Sequence, residues 1–210
     1  DSSTSRGLGD VYKRQILNIP RIIPSFILFC LKINDCEDDV KQALVHRHFN
    51  SNVFIGFCYL MVFDKTFRNI FYKRIGKLKY FVYYFMPPHD SFVIATYMDC
   101  GKGFLGIHPI ATFVNADKVG ENFTVRNNVT IGASKTGRPT IGNNVIVNAN
   151  SLIAGKVNIG NNVVVGGGTI VMKDIPDNCV VVGNPAYILY QNDVRVNTVS
   201  YTHLTLPTKA

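Results

Sequence analysis

His108 is the residue whose type and setting point most directly to chemistry. It is the one histidine within a run of six-residue repeats, in IHPIATFVNADKVG. It directly follows Ile107, which the repeat assigns to the interior, so its imidazole is expected to face outward. An outward imidazole is most often just solvated. It is also a side chain with an ordinary pKa of about 6.5, able to take a proton from a hydroxyl near neutral pH and hand it to a leaving group. Two further sets of residues could serve such a reaction. The segment ASKTGRPT supplies Lys135 and Arg138 as cations, punctuated by Gly137 and Pro139. Ala149, Ala154, Gly155, Gly167 and Gly168 leave room for an extended ligand at outward corners, although small residues also ease tight turning.

A repeat must position these residues. Aliphatic or aromatic side chains return every six places at Ile107, Phe113, Val119, Val125 and Ile131, then at Ile141, Val147, Ile153, Ile159, Val165 and Val171. A second column, four places on, holds Ala111, Phe123, Val129, Val145, Ser151, Val157, Val163, Thr169 and Ile175. Two inward side chains per six residues describe one short strand and one corner. Three such units close a triangular coil, and stacked coils bury a continuous aliphatic column through parallel backbone hydrogen bonds. The corners carry residues that tolerate left-handed backbone, among them Gly120, Asn127, Asn128, Gly142, Asn143, Asn144, Gly160, Asn161 and Asn162. An ordinary β-sandwich would space its turn signals irregularly. Between Ile131 and Ile141 the interval is ten, so four extra residues leave the coil as a loop around residues 133–140.

The part before the repeats reads as helical. Residues 16–90 are rich in Leu, Ile, Phe and Tyr without sustained alternation. INDCEDDVKQAL offers Asn34 or Asp35 as an N-cap with acids in the first turn. TFRNIFYKRIGKLKYFVYYF mixes bases with aromatics, and an amphipathic helix packing its aromatic face on the next domain is preferred to a nucleic-acid or membrane surface. Pro87 and Pro88 end the helices and set a boundary near residue 90, with the repeats over 91–190. Residues 1–15 and the tail over 191–210 match neither pattern, and both resemble sequencing-adapter read-through. The formal charge of +8 favours anionic partners without choosing among them. The apolar runs from Ile22 to Leu31 and Val53 to Phe63 fall short of the roughly 20 residues a membrane span needs. Five cysteines without a CxxC pair suit a reducing compartment, read as the cytoplasm, and argue against structural zinc.

The segments VGENFTVRNNVTIG, IGNNVIVNANSLIAGKVNIGNNVVVGGGTIVMKDIP and VGNPAYIL resemble the hexapeptide-repeat acyltransferases, most closely the serine acetyltransferase branch and its capsule-cluster relatives. The resemblance covers about residues 91–190 and implies a mainly β fold, a left-handed parallel β-helix preceded by α-helices. Periodicity alone would not give that hand, since parallel crossovers are usually right-handed. The resemblance further implies acetyl transfer from acetyl-CoA to a hydroxyl, with serine first as acceptor, in cysteine synthesis, and a sugar of a polysaccharide precursor second. It makes His108 the general base, one coil before the Val129–Gly132 hexad, and places Lys135 and Arg138 on the loop over the acceptor. Ala149 and Gly167 match positions that contact CoA, Ala154, Gly155 and Gly168 widen the same channel, and Lys173 matches a lysine near the CoA phosphates. No metal is implied; a carbonic anhydrase on this prism needs three zinc-binding histidines. Homotrimers with sites between subunits are expected. Two positions depart from the pattern: the aspartate that orients the histidine falls near Val93, leaving Asp90 or Asp99 as substitutes under another register, and Arg138 stands where the branch has a second histidine. Both departures bear on the acceptor rather than on the thioester chemistry. A noncatalytic scaffold is the third reading.

Overall fold

The computed structural model describes residues 20–196. Residues 1–15, and all but the first six residues of the 191–210 tail, lie outside that range.

Five helices come first: α1 over residues 20–31, α2 (Ile33–His46), α3 (Val53–Phe63), α4 (Lys65–Ile75) and, after a 3-10 turn (Gly76–Leu78), the short α5 (Lys79–Val82). The Ile22–Leu31 run is itself helical and is parted from α2 only by a turn at Lys32. Asn34 and Asp35 therefore do not cap a helix: Lys32 holds the N-cap position without a side-chain bond, and Asp35 sits in the first turn of α2. The caps that form are Asn52, whose Oδ1 accepts from Ile55 N at 2.9 Å, and Asp64, whose Oδ1 accepts from Thr66 N and Phe67 N. These helices bury an aromatic cluster in which Phe29 and Phe57 stack with centroids 4.1 Å apart and Phe71 meets Phe57 edge-on.

The rest is a three-sided parallel β-helix of five coils. One face stacks β1 (Phe92–Ile94), β4 (Thr112–Val114), β7 (Thr130–Gly132), β10 (Leu152–Ala154) and β13 (Ile170–Val171). The second stacks β2 (Asp99–Cys100), β5 (Lys118–Val119), β8 (Thr140–Ile141) and β11 (Asn158–Ile159), and Ile175 continues it by a parallel bridge to Ile159. The third stacks β3 (Leu105–Gly106), β6 (Thr124–Val125), β9 (Ile146–Val147), β12 (Val164–Val165) and β14 (Cys179–Val182). There the chain folds back antiparallel as β15 (Tyr187–Gln191) and β16 (Val194–Arg195), so ordered structure runs past residue 190. From Val119 onward both predicted columns are buried, and they form one core with Phe92, Phe104 and Val114.

The first coils depart from the predicted columns. Phe113 is 40% exposed and Ala111 is exposed, while Val114 and Thr112 take the inward places. Ile107 is half-buried against the helical cluster, and Gly106, paired with Val125, holds its column position. The cause is spacing: eight residues separate Gly106 from Val114 and five separate Val114 from Val119, so one net residue bulges out around His108.

The basic helix α4 meets the prism with its polar edge as well as its apolar one. Ile70 enters the prism core. Asn69 Nδ2 donates to His89 O and Phe92 O, Lys73 Nζ to Thr96 O and Met98 O, and Arg74 to Cys100 O and Gly101 O. These carbonyls belong to the first coil and have no coil below to donate to them. Asp39 of α2 completes the cap, pairing with Arg74 at 2.7 and 2.9 Å and accepting from Phe104 N at 2.7 Å. The aromatics Phe71 and Tyr72, by contrast, pack among the helices and not on the prism as predicted.

Candidate active site

The bulge that carries His108 is built by two neighbours. A Cβ on Gly106 would stand 2.9 Å from Pro109 Cγ, so the missing side chain makes room for the buried proline ring. Across Pro109 the chain reverses tightly, Ile110 N donating to His108 O at 2.6 Å. His108 and Ala111 take left-handed backbone, with φ of 47° and 53°. Ser91 supports the bulge from below, its carbonyl accepting from Thr112 N at 2.9 Å and its hydroxyl from Ala111 N at 3.4 Å. His108 is exposed, and among the described residues no hydrogen bond reaches its ring.

His108 sits on the edge between the third and first faces, and the corners above it are in line. Asn128 N donates to Ile110 O, Asn150 N to Asn127 O, and Gly168 N to Ala149 O. Ala149 and Gly167 therefore lie two and three coils above the histidine on one edge, about 10 and 14 Å along it at a strand spacing of about 4.8 Å. Nothing stands within 4 Å of a Cβ placed on Gly168, and a Cβ on Gly167 would meet only Ala149 O at 3.3 Å. This edge is open at Gly167 and Gly168, as a ligand lying against it requires.

The remaining predicted residues occupy a different edge, between the first and second faces. There the four extra residues form a small hairpin in which Ser134 N and Gly137 N each donate to the other's carbonyl, with Lys135 exposed at its tip. Thr136 Oγ1 accepts from Lys156 N at 3.1 Å and contacts Ser134 Oγ at 2.7 Å. Gly155 lies beneath this hairpin: its φ is 92°, and a Cβ there would meet Ser134 Oγ and Thr136 Oγ1 at 3.0 and 3.1 Å. Its smallness seats the loop. Arg138 ion-pairs with Asp117 at 3.1 Å and lies over the Tyr97 ring at 4.3 Å, an arrangement that holds its guanidinium above its ordinary pKa, Asp117 contributing most. Tyr97 in turn bonds Asn115 through its hydroxyl. Ala154 and the exposed Lys173 follow on the same edge, and Lys173 has no ion pair among the described residues. The structure thus groups His108 with Ala149, Gly167 and Gly168, and groups Lys135 and Arg138 with Ala154, Gly155 and Lys173.

Register also sorts the carboxylates. Val93 and Phe113 are paired on the first face, Asp99 belongs to the second face, and Asp90 precedes Ser91 on the histidine's own edge one coil below. Only Asp90 shares the edge. His46, at the end of α2, is a neighbour that sequence reasoning missed: burial holds its pKa below the ordinary value, and Arg47, Arg126 and His108 push the same way. Its distance in sequence, 62 residues before His108, hides the proximity. Tyr97 and Asp117, which lock Arg138, were also missed, since no spacing rule links corner side chains in coils one and two below. Burial pushes the Cys36 and Cys100 thiols up to about 12 and about 11, which removes both as thiolate nucleophiles at neutral pH. Among the described residues no three His, Cys, Asp or Glu side chains could hold a metal ion, and no helix is long and apolar enough to cross a membrane.

No family model matches the chain. It is 36% identical over 109 residues to a serine acetyltransferase of Synechococcus elongatus, covering 50% of this chain and 45% of that protein. It is 42% identical over 92 residues to WcaB of Escherichia coli, named as a colanic acid biosynthesis acetyltransferase, covering 42% of this chain and 57% of that protein. The chain spans about half the length of these curated relatives. Among solved structures, the Neisseria gonorrhoeae serine acetyltransferase in complex with serine superposes with a TM-score of 0.62 at 26% identity, covering 79% of this chain and 72% of that one. The coiled prism and these relatives together make the chain similar to the hexapeptide-repeat acyltransferases of the serine acetyltransferase branch.

Proposed function

We propose that this protein transfers an acetyl group from acetyl-CoA to a hydroxyl, with L-serine as the acceptor and His108 as the base. The observation that carries this reading is the edge itself: an exposed imidazole at its foot and a line of small residues, Ala149, Gly167 and Gly168, rising from it. The imidazole takes the hydroxyl proton as the oxygen attacks the thioester carbonyl. The tetrahedral adduct then collapses, the carbon–sulfur bond breaks, and the imidazolium returns the proton to the departing thiolate. Asp90, one coil below, is the carboxylate whose edge position suits orienting the ring.

The two groups of predicted residues lie one face apart. Six residues of extended chain span about 20 Å, too far for Lys173 or the Lys135 loop to act beside His108 of the same chain. We therefore propose a homotrimer in which the histidine edge of one copy faces the loop edge of the next, so that Lys173 meets the CoA phosphates and Lys135 and Arg138 flank the acceptor. The five scattered cysteines, all free, fit a reaction in the cytoplasm.

The sugar reading keeps its place because of two observations. WcaB is the more identical relative over the matched residues, at 42% against 36%. Arg138 is tied to Asp117 and Tyr97 where the serine enzymes carry a second histidine. An acetyl-CoA consumption assay against L-serine and a panel of sugars separates the two. Turnover with serine supports the first reading, turnover with sugars alone replaces it by the second, and no turnover with any acceptor ends both. His108→Ala is expected to lower kcat by about 10² to 10⁴ without weakening CoA binding, and full activity in that variant removes the assignment.

A further inference from the structure

Residues 65–89 hold six basic side chains, Lys65, Arg68, Lys73, Arg74, Lys77 and Lys79, and no Asp or Glu. Three of the six are spent inside the molecule. Arg68 donates to Met61 O, Val62 O and Pro87 O, while Lys73 and Arg74 hold the first coil. Lys77 and Lys79 have no carboxylate partner among the described residues.

The segment around α5 is sided. Val82 and Met86 are buried and fasten it to the helical core. On the other side, Tyr80, Phe81 and Tyr84 are 69, 75 and 89% exposed, with Lys77 one turn before them, the three-to-four-residue spacing of a single helical face. Neither Tyr80 nor Tyr84 has a hydrogen-bond partner for its hydroxyl among the described residues, and Lys79 Nζ lies 5.4 and 5.6 Å from the Tyr80 and Tyr83 ring centroids. Behind this ledge opens a cleft of about 310 Å³ whose lining includes Lys73, Lys79, Tyr83 and His89, with Asp90 its only carboxylate.

We propose that this face docks on an anionic lipid bilayer, its rings resting among the headgroups, its lysines on the lipid phosphates and one headgroup entering the cleft. Tyrosine suits that boundary because its ring is apolar and its tip is wet, and unpaired lysines gain from a negative surface. A second copy of the chain is a poorer match, since joining two such faces would set lysine against lysine without an acid between them. The contact is peripheral; its cleft reaches the histidine edge at Asp90, one coil below His108, and its lining includes none of the coils above.

Sedimentation of the full chain with vesicles tests this directly. Vesicles of equal parts phosphatidylcholine and phosphatidylglycerol are expected to carry the protein down, and vesicles of phosphatidylcholine alone to leave it in solution. Lys77→Gln with Lys79→Gln should weaken the partition roughly 25-fold, about fivefold for each lysine. Phe81→Ser with Tyr84→Ser should weaken it about tenfold or more. Unchanged far-UV circular dichroism melts show that the exposed substitutions leave the fold intact. Equal binding to both vesicle types, or unaltered binding by both double variants, overturns the proposal. A fall in oligomeric mass on substitution, measured by light scattering, gives the face to a second copy instead.

Discussion

Arg74→Met should cost the fold about 4 kcal/mol and steepen the way its stability depends on pH. The wild-type guanidinium and the Asp39 carboxylate are only 8 and 2% exposed and are joined by two bonds of 2.7 and 2.9 Å. Removing one partner from a buried ion pair costs about 3–5 kcal/mol, because the other charge stays behind without compensation. Cys100 O and Gly101 O lose their donors as well, each worth about 1 kcal/mol. Against a total stability of about 5–15 kcal/mol this is a large fraction. Burial already drives the Asp39 carboxyl above its usual range, opposed by Arg74 and the Phe104 amide. Without Arg74 that rise grows. A carboxyl whose folded pKa exceeds its unfolded value destabilises the fold most when ionised, so the variant should gain stability as pH falls below that raised folded pKa toward the ordinary value of about 3.9, about 1.4 kcal/mol for each pH unit crossed. Asp39→Asn added to Arg74→Met keeps an Oδ1 acceptor for Phe104 N, removes the orphan charge, and should recover about 2 kcal/mol at pH 7. The chain has no tryptophan, so urea titrations followed by far-UV circular dichroism are the suitable assay. A loss below about 1 kcal/mol in the single variant, or no recovery in the double, refutes the capping argument.

Three other outcomes are expected. Gly155→Ala places a methyl 3.0 Å from Ser134 Oγ at a φ of 92°, so it should cost about 1–2 kcal/mol and displace the 133–138 hairpin, read as a raised acceptor KM with CoA affinity intact. Ala111→Gly relieves a left-handed alanine whose counterparts up the edge are Asn128, Asn150 and Gly168, and a gain of up to about 1 kcal/mol in urea unfolding is expected. Lys173→Ala should raise the KM for acetyl-CoA several-fold at low ionic strength, with the gap to wild type closing as salt screens the phosphates.

From Val119 onward the predicted places are all buried, because the four extra residues before Ile141 leave the coil as a loop and the inward places are all aliphatic, aromatic or small. The reading fails at Ile107, Ala111 and Phe113 for a local reason. Gly106 holds a column position with no side chain to mark it, and Pro109 fills the space from outside the pattern. His108 was legible as an outward imidazole even so, since the shift carries it into a bulge and not into the core. The separation of the site residues onto two edges was harder to see. Edge identity repeats only every third hexad, and both the extra residue before Val119 and the insertion before Ile141 disturb that count. Nothing in α4 announced its role either: Asn69, Lys73 and Arg74 serve backbone carbonyls, which carry no signature in the sequence.

The prism is closed below by helices and above by a returned hairpin, and neither closure touches the middle coils. On the edge between the second and third faces, the side chains of Asn122, Asn144, Asn162 and Asn178 repeat one bond from coil to coil, each amide donating to the next at 2.8–2.9 Å. Such a stack works as a ruler with identical graduations. Inserting or deleting one whole turn of roughly eighteen residues, three hexads, would lengthen or shorten the open edge above His108 by about 4.8 Å while leaving both stoppers and the histidine bulge as they are.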